Sequence, residues 1–219
     1  MAQDDAGYLW HREVIADEVE ATLHALRDRR ALDSFYLAGG TALALALGHR
    51  RSVDLDFFTS GPFDTDALLC LIEAIPDFSL SARDHETIHA TIGRTKVSFL
   101  GYRYPLLFPA LRFIDVAVAE PRDIACMKIN AIASRGTKRD FIDLYAVAQS
   151  DGLRMLFRRF AAKYAQTHYN PLHIVKSLTF FDDAEKDPMP DMLVPCAWAE
   201  VKQFFAWEAP RLLQGASAD

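Results

Sequence analysis

Two aspartates, one residue apart in a segment that has the pattern of a strand, constrain the fold of this chain more than any other feature. Asp54 and Asp56 lie in residues 53–58, where the intervening positions are apolar. Alternate residues of a strand point to the same face, so we expect the two carboxylates to project together. The residues expected to face a core are Val53, Leu55 and Phe57. Two carboxylates on one face repel each other, and a divalent cation such as Mg²⁺, which shares such ligands with substrate phosphates, would relieve that repulsion.

A glycine turn lies shortly before this pair. Gly39 and Gly40 end a short predicted strand at residues 34–38, and Thr41 opens a helix rich in alanine and leucine. Glycines at such a junction let the backbone approach a ligand, and the first N–H groups of the helix attract an anion. Taken alone, the pattern also fits a plain tight turn. Together with the aspartates, it predicts that the glycines hold a triphosphate and the carboxylates hold its metal, which suits nucleotidyl transfer.

The remaining patterns predict an α+β fold. A helical period covers residues 11–30, and a further helix capped by Asp64 or Thr65 follows the aspartate strand. The other predicted strands are residues 78–83, 87–92, 96–100 and 112–118. The helices predicted beyond Pro121 are residues 122–134, 138–150, 153–167, 171–181 and 196–208, with a loop at 182–195. We therefore expect a sheet-bearing core in residues 1–120 and a helical region packed on it in residues 121–219.

Composition excludes several classes of protein. The 219 residues carry a formal net charge of −6, which argues against a protein that coats nucleic acid by bulk charge. Three widely spaced cysteines indicate reduced thiols rather than a disulfide framework. Residues 1–5 lack the basic and apolar regions of a signal peptide, and no apolar run approaches the roughly 18–20 residues of a membrane span. The expected location is the cytoplasm, with no membrane partner.

Two charged groups fall in the predicted helices of the second half. Lys128 and Arg135 share one helix face and are candidates to bind a phosphate, although a solvated surface pair has the same pattern. Asp140 and Asp143 share a face of the next helix. Asp140 has a plain interpretation as a partner of the helix dipole. Asp143, one turn further on, is a candidate to anchor Lys128 or Arg135, or to act as a base.

A third basic group lies further along the chain and is a candidate to contact an RNA backbone. Its cations are Arg154, Arg158, Arg159 and Lys163, and the ring-bearing residues that follow are Tyr164, His168 and Tyr169. Cations with neighbouring rings are typical of single-stranded RNA binding, but a solvated helix face has the same pattern.

Taken in order, these motifs resemble the AbiEii/AbiGii toxin family of the DNA polymerase β-like nucleotidyltransferase superfamily. The matching segments are Gly39-Gly40-Thr41, residues 52–58, residues 123–132 with Arg135, residues 139–145 and residues 181–185. The resemblance spans roughly residues 35–195. It implies a nucleotidyltransferase-fold mixed sheet flanked by helices, followed by the helical half.

The resemblance also implies an activity and assigns residues to it. It implies transfer of a nucleoside monophosphate from an NTP, with Mg²⁺ as cofactor, to an acceptor that is RNA, such as a tRNA 3′ end. The residues implied at the phosphates are Gly39, Gly40, Thr41 and Lys128, and those implied at the metal are Asp54 and Asp56. The residues implied in catalysis are Lys128, Asp143, Asp140, Arg135 and Arg139. The protein would be the toxin of a toxin–antitoxin or abortive-infection system that defends against phage, with a cognate antitoxin as partner.

The sequence departs from the superfamily at one position. Many members carry a third carboxylate on a later strand, and the strand expected to hold it contains Ser98. Asp143, Asp115 or Glu86 could supply the missing carboxylate, or the chain could be a catalytically weakened nucleotide-binding module that acts through a protein partner. Modification of a small molecule or a protein is a third alternative.

Overall fold

The structure is a computed structural model that describes residues 8–213. The chain divides into two compact units, Met1–Glu120 and Pro121–Asp219. Residues 1–5, on which the expectation about a signal peptide rests, lie outside the described residues. Within residues 8–213, none of the helices combines the length and the apolar character that crossing a bilayer requires.

The first unit is built on one mixed β-sheet. Its described strands are β1 (Tyr36–Ala38), β2 (Leu55–Thr59), β3 (Phe78–Asp84), β4 (Thr87–Ile92), β5 (Thr95–Gly101), β6 (Leu111–Phe113) and β7 (Val116–Val118). They lie side by side in the order β3-β4-β5-β2-β1-β7-β6. Strand β2 runs parallel to β5 and antiparallel to β1, and β1 runs parallel to β7. This topology confirms the predicted mixed sheet and places β2 at its centre.

The helices of the first unit follow the sequence patterns but differ in their bounds, and the helix expected to open at Thr41 begins at Gly39. They are α1 (Asp17–Asp28), α2 (Gly39–Leu47) and α3 (Thr65–Ile72). The helix predicted over residues 11–30 is a 3₁₀ turn at Arg12–Val14 followed by α1. Asp64 caps α3 as predicted, because its carboxylate accepts hydrogen bonds from the N–H groups of Asp66 and Ala67.

Three strand predictions for this unit need correction, the first being that β1 begins at Tyr36 rather than at residue 34. Strand β2 begins at Leu55, so Asp54 and Val53 precede it, and Val53 is 57% exposed rather than part of the core. Leu55 and Phe57 are buried as expected. The single strand predicted over residues 112–118 is the hairpin β6–β7, because the chain turns at Ile114 and Asp115, which both have positive φ.

The second unit is helical. Its described helices are α4 (Pro121–Ser134), α5 (Lys138–Asp151), α6 (Leu153–Lys163), α7 (Pro171–Ser177), α8 (Asp182–Glu185) and α9 (Trp198–Glu208). Helix α4 packs against α5, α6 and α7 and so forms the centre of the unit. Three predictions differ most in their bounds: the helix expected over residues 153–167 ends at Lys163, the helix expected over 171–181 ends at Ser177, and the loop expected at 182–195 begins with the short helix α8.

Candidate functional site

The glycine turn of the first unit packs its backbone against the second aspartate. Gly39 has a left-handed φ of +69°, which favours glycine, and a Cβ added there would lie 2.9 Å from Asp56 Oδ2. The contact arises because β1 and β2 are neighbours and Ala38, the last residue of β1, pairs with Asp56. The first turn of α2 therefore lies beside a half-buried carboxylate, as the sequence predicted.

The segment that carries Asp54 is tied to the same helix. Thr41 donates a hydrogen bond to the backbone carbonyl of Asp54, and its Oγ1 lies 2.8 Å from Ser52 Oγ. The Thr41 side chain is only 1% exposed. Its hydroxyl thus fixes the segment before β2, so a contact between Thr41 and a phosphate would fall to the backbone N–H.

Arg50 is part of this site, and the sequence reasoning missed it. The side chain is 3% exposed, and its Nη2 lies 2.3 Å from the position of a Cβ added at Gly40. Arg50 Nη1 donates to the carbonyl oxygen of Arg51 at 3.0 Å. A cation thus lies beside the glycine turn, where it adds positive charge to the helix N-terminus. The sequence shows an arginine in the connection between α2 and β2, but it does not show that the folded loop buries this side chain beside Gly40.

The strand position next to Asp56 holds a serine that contacts a histidine. Ser98 on β5 pairs with Asp56 on β2 and with His89 on β4, so the three side chains lie on one face of the sheet. Ser98 Oγ is 3.1 Å from His89 Nδ1. His89 was also missed, because only the strand register reveals this neighbour.

Glu86 and Asp115 were the candidates from the first unit to replace the carboxylate that Ser98 lacks, and both lie in turns between strands. Glu86 lies in the turn between β3 and β4 and forms an ion pair with Arg103 at 2.9 Å. Asp115 lies in the turn of the β6–β7 hairpin. In the part of the chain that the structure describes, no group of three or more histidine, cysteine, aspartate or glutamate side chains is arranged to hold a metal ion.

The second unit holds a buried charged cluster around Lys128. Lys128 Nζ lies 2.6 Å from Asp143 Oδ2 and 2.9 Å from Asp140 Oδ1. Arg135 Nε lies 3.2 Å from Asp140 Oδ2, to which Thr137 also donates at 2.7 Å. Helix α4 supplies Lys128, and the first two turns of α5 supply both carboxylates. The structure therefore brings together Lys128, Arg135, Asp140 and Asp143 from the two helical motifs, and Arg139, on α5, is exposed.

Electrostatics keep this cluster ionised. Burial acts to lower the pKa of Lys128, but the carboxylates of Asp143 and Asp140 outweigh it and hold that pKa above its usual value. Burial acts to raise the pKa of Asp140, but Lys128, Arg135 and the Thr137 hydroxyl outweigh it and hold that pKa below its usual value. The Asp143 side chain has no exposed surface and contacts the ammonium directly, which favours an anchoring role over that of a proton acceptor.

The basic stripe predicted on α6 is not a continuous exposed surface. Lys163 is buried and forms an ion pair with the buried Asp123 at 2.8 Å, and Tyr164 is also buried. Arg159 pairs with Asp151. Only part of the predicted RNA-contacting group therefore faces solvent, because the helical period alone does not show which cations meet a carboxylate elsewhere in the unit.

Sequence comparisons match most of the chain. A family model described as "Nucleotidyl transferase AbiEii toxin, Type IV TA system" matches residues 22–110 and 102–206. An uncharacterized protein of Aquifex aeolicus is 37% identical over 188 residues, a match that covers 83% of this chain and 89% of that protein.

Solved structures share the fold at lower identity. The nucleotidyltransferase toxin MenT4 from Mycobacterium tuberculosis H37Rv superposes with a TM-score of 0.55 at 21% identity, over 93% of this chain and 87% of that one. A candidate nucleotidyltransferase from H. pylori gives a TM-score of 0.54 at 17% identity, over 92% and 97% of the two chains. ANT(2″)-Ia, solved in complex with adenylyl-2″-tobramycin, superposes with a TM-score of 0.50 at 12% identity. The match covers 68% of this chain and 98% of that one.

Proposed function

Because this chain belongs to the AbiEii family of nucleotidyltransferase toxins, we propose that it transfers a nucleoside monophosphate from an NTP to the 3′ end of an RNA, with tRNA as the acceptor. The observation that carries this proposal is the contact between the Gly39 backbone and the Asp56 carboxylate. It places a helix N-terminus, which is suited to bind a phosphate, beside a carboxylate that is suited to bind a metal ion.

The residues of the first unit fit a magnesium ion. Asp54 and Asp56 offer hard carboxylate oxygens, both side chains are half-buried, and glycine at position 39 leaves the space that a Cβ would fill beside Asp56 Oδ2. Mg²⁺ is typically held by one or two carboxylates plus substrate phosphates, so two aspartates without a third ligand are a suitable set. When bound, Mg²⁺ would neutralise charge on the triphosphate and on the departing pyrophosphate.

The protein's own groups have distinct roles in this proposal. The N–H groups of Gly39 and Gly40, at the start of α2, bind phosphate oxygens. Lys128 has three N–H donors, of which Asp140 and Asp143 take two, and the third is available to a phosphate oxygen. Asp143 orients the ammonium, and Arg135 adds a second cation to the helical unit.

We propose two consequences for the cell from the same family membership. The transfer would act on the tRNA pool in the cytoplasm and arrest growth as part of phage defence. A cognate antitoxin protein would neutralise it.

A labelled-NTP assay tests the proposal. The protein would be incubated with each α-labelled NTP, Mg²⁺ and total RNA, and the products separated into RNA, protein and small-molecule fractions. We expect label in the tRNA fraction, loss of that label with Asp56→Asn, and no loss with Asp33→Asn, which removes an exposed carboxylate of the same unit. Label confined to the protein or small-molecule fraction would overturn the RNA acceptor.

The structure also gives one observation in favour of a second function. Ser98 stands beside Asp56 where a further carboxylate would strengthen a metal site, which favours a nucleotide-binding module that acts through a protein partner. This alternative predicts NTP binding by calorimetry without transfer to any fraction.

A further inference from the structure

A cavity of about 380 Å³ lies in the second unit, at the C-terminal end of α4. It is lined by residues 132–136, by α7 and by residues that follow α7. This volume is at the small end of the range for ligand pockets, which suits a small ligand or a single residue of a polymer.

Two permanent cations line this cavity. Arg135 is fixed at one edge, because its Nε pairs with Asp140 at 3.2 Å, yet its side chain is 68% exposed. An anchored guanidinium of this kind is well suited to bind a phosphate with its remaining N–H groups. Lys176, on α7, lines the same cavity and is exposed.

The negative groups around the cavity are already engaged. Asp183 is the one carboxylate among the described lining residues, and it forms an ion pair with Lys186 at 2.8 Å. His173 Nε2 donates to the carbonyl oxygen of Ala133, near the end of α4, at 3.3 Å. This bond satisfies one of the last carbonyls of α4 and so reduces, without removing, the negative potential at this end of the helix.

An exposed aromatic ring stands at the rim of the cavity. Phe180 lines it, follows α7 in the chain and is 54% exposed. A large exposed ring beside two cations is the combination with which proteins bind single-stranded RNA, where bases stack on rings and cations hold phosphates.

We propose that this cavity binds one nucleotide of a single-stranded RNA end, with a phosphate on Arg135 and Lys176 and a base stacked on Phe180. The inference rests on the proposed transfer to RNA and identifies where the acceptor strand is held. A free NTP fits less well, because an NTP is carried with Mg²⁺ and the cavity offers no unpaired carboxylate among its described residues. A phosphodiester needs only the cations.

Fluorescence anisotropy with a 5′-labelled single-stranded RNA ending in a 3′ hydroxyl, without NTP, tests the proposal on the full chain. We expect Lys176→Glu to raise the Kd at least tenfold. We expect Phe180→Ala to raise it several-fold, in line with the loss of one stacked base. With Lys176→Gln, the slope of log K against log salt should become shallower by about 0.7, the value for one phosphate contact on a single strand.

Arg94→Glu is the matched control, because it makes the same change of charge in an exposed turn of the first unit. It should bind RNA within twofold of the wild type. Unchanged RNA binding by both Lys176→Glu and Phe180→Ala, with intact circular dichroism, would overturn the proposal. Loss of Mg²⁺–NTP binding in these variants, with RNA binding retained, would assign the cavity to the nucleotide instead and would also overturn it.

The binding measurement distinguishes a failure of the cavity assignment from a failure of the proposed transfer activity. If the protein transfers nothing but binds RNA through Lys176 and Phe180, the cavity assignment stands and the proposed activity fails. If the wild type labels RNA and both variants show a wild-type KM for RNA, the activity stands and the cavity assignment fails. The supporting result is a raised KM for RNA in both variants, with kcat at saturating RNA within twofold of the wild type.

Discussion

At the scale of single residues, Gly39 has two separable reasons to be glycine. Its φ of +69° is costly for a residue with a Cβ, and such a Cβ would also press on the Asp56 carboxylate at 2.9 Å. Gly152 has a similar φ of +74°, but nothing lies within 4 Å of an added Cβ. The two positions therefore separate backbone strain from displacement of the carboxylate.

Substituting each glycine with alanine tests this distinction. We expect both Gly39→Ala and Gly152→Ala to lower the free energy of unfolding, by about 1–3 kcal/mol for the positive φ alone. Only Gly39→Ala should lose nucleotide transfer, since only there does the new methyl group move a proposed metal ligand. Equal transfer by the two variants, measured with labelled NTP, would show that the contact with Asp56 has no functional role.

Two of the buried lysines of the second unit, Lys128 and Lys163, offer a similar comparison. Lys128 pairs with Asp143 and Asp140, whereas Lys163 pairs with Asp123. Removing one partner of a buried ion pair typically costs about 3–5 kcal/mol, so Asp143→Asn and Asp123→Asn should both lower the urea midpoint.

Only Asp143→Asn should lower kcat for transfer by a hundredfold or more at a temperature where both variants are folded, because only Lys128 is proposed to act on a phosphate. Equal losses of kcat in the two variants would indicate that the Lys128 cluster contributes to stability and not to transfer.

Single residues also show where sequence reasoning stops. The spacing of Lys128 and Arg135, and that of Asp140 and Asp143, predicted two helix faces. Anchoring Lys128 or Arg135 was one of two roles considered for Asp143, the other being that of a base. Nothing local to Lys163 indicated its burial, because its partner Asp123 is forty residues away in the chain. Arg50 likewise becomes part of the site only when the loop before β2 folds against Gly40.

At the scale of elements, the start of α5 holds the carboxylate side of the Lys128 cluster in place. Thr137 is the N-cap residue, its hydroxyl is 3.4 Å from the N–H of Asp140, and it donates to Asp140 Oδ2 at 2.7 Å. Both bonds join the Thr137 hydroxyl to Asp140, the third residue of the helix, whereas in a capping box the acidic side chain accepts from the backbone N–H of the N-cap residue. The cap therefore both stabilises the helix and orients a functional side chain.

Replacing the cap should weaken the unit in a predictable way. We expect Thr137→Ala to lower the free energy of unfolding by about 1–2 kcal/mol, the usual cost of losing an N-cap. Thr137→Ser keeps the hydroxyl and should recover most of that loss. Chemical denaturation followed by circular dichroism measures both, and equal midpoints for alanine and serine would rule out a contribution from the hydroxyl.

Sequence patterns at this scale predicted the kind of element better than its ends. The alternating pattern correctly predicted that Leu55 and Phe57 are buried. It extended the strand back to Val53, because the local pattern does not show that pairing begins at Leu55, opposite Val97 of β5. The contact between Ser98 and His89 depends on the register of β4 and β5, and the sequence of neither strand alone predicts that register.

At the scale of the whole molecule, the Lys128 cluster makes stability depend on pH at both extremes. The pKa of Asp140 is lowered, so its contribution is present above its unfolded pKa of about 3.9 and is lost as the pH falls through the folded value. The pKa of Lys128 is raised, so its contribution is complete below about pH 10.4 and is lost as the pH rises through the folded value.

We therefore expect a plateau in the urea midpoint between about pH 4 and pH 10 from this cluster. Asp140→Asn should lower the plateau and flatten the fall on its acid side. If the acid limb of Asp140→Asn has the same steepness as that of the wild type, Asp140 does not contribute to it.

Calorimetric titration of a non-hydrolysable NTP into the protein, with Mg²⁺ and then with EDTA, tests the central claim most directly. That claim is that Asp54 and Asp56, beside the Gly39 turn, hold a metal-bound nucleotide. We predict that the wild type binds at least tenfold more tightly with Mg²⁺ than without, and that the variant with both Asp54→Asn and Asp56→Asn loses this difference while keeping its Tm within a few degrees. A folded double variant that binds the Mg²⁺ complex as tightly as the wild type would contradict the account.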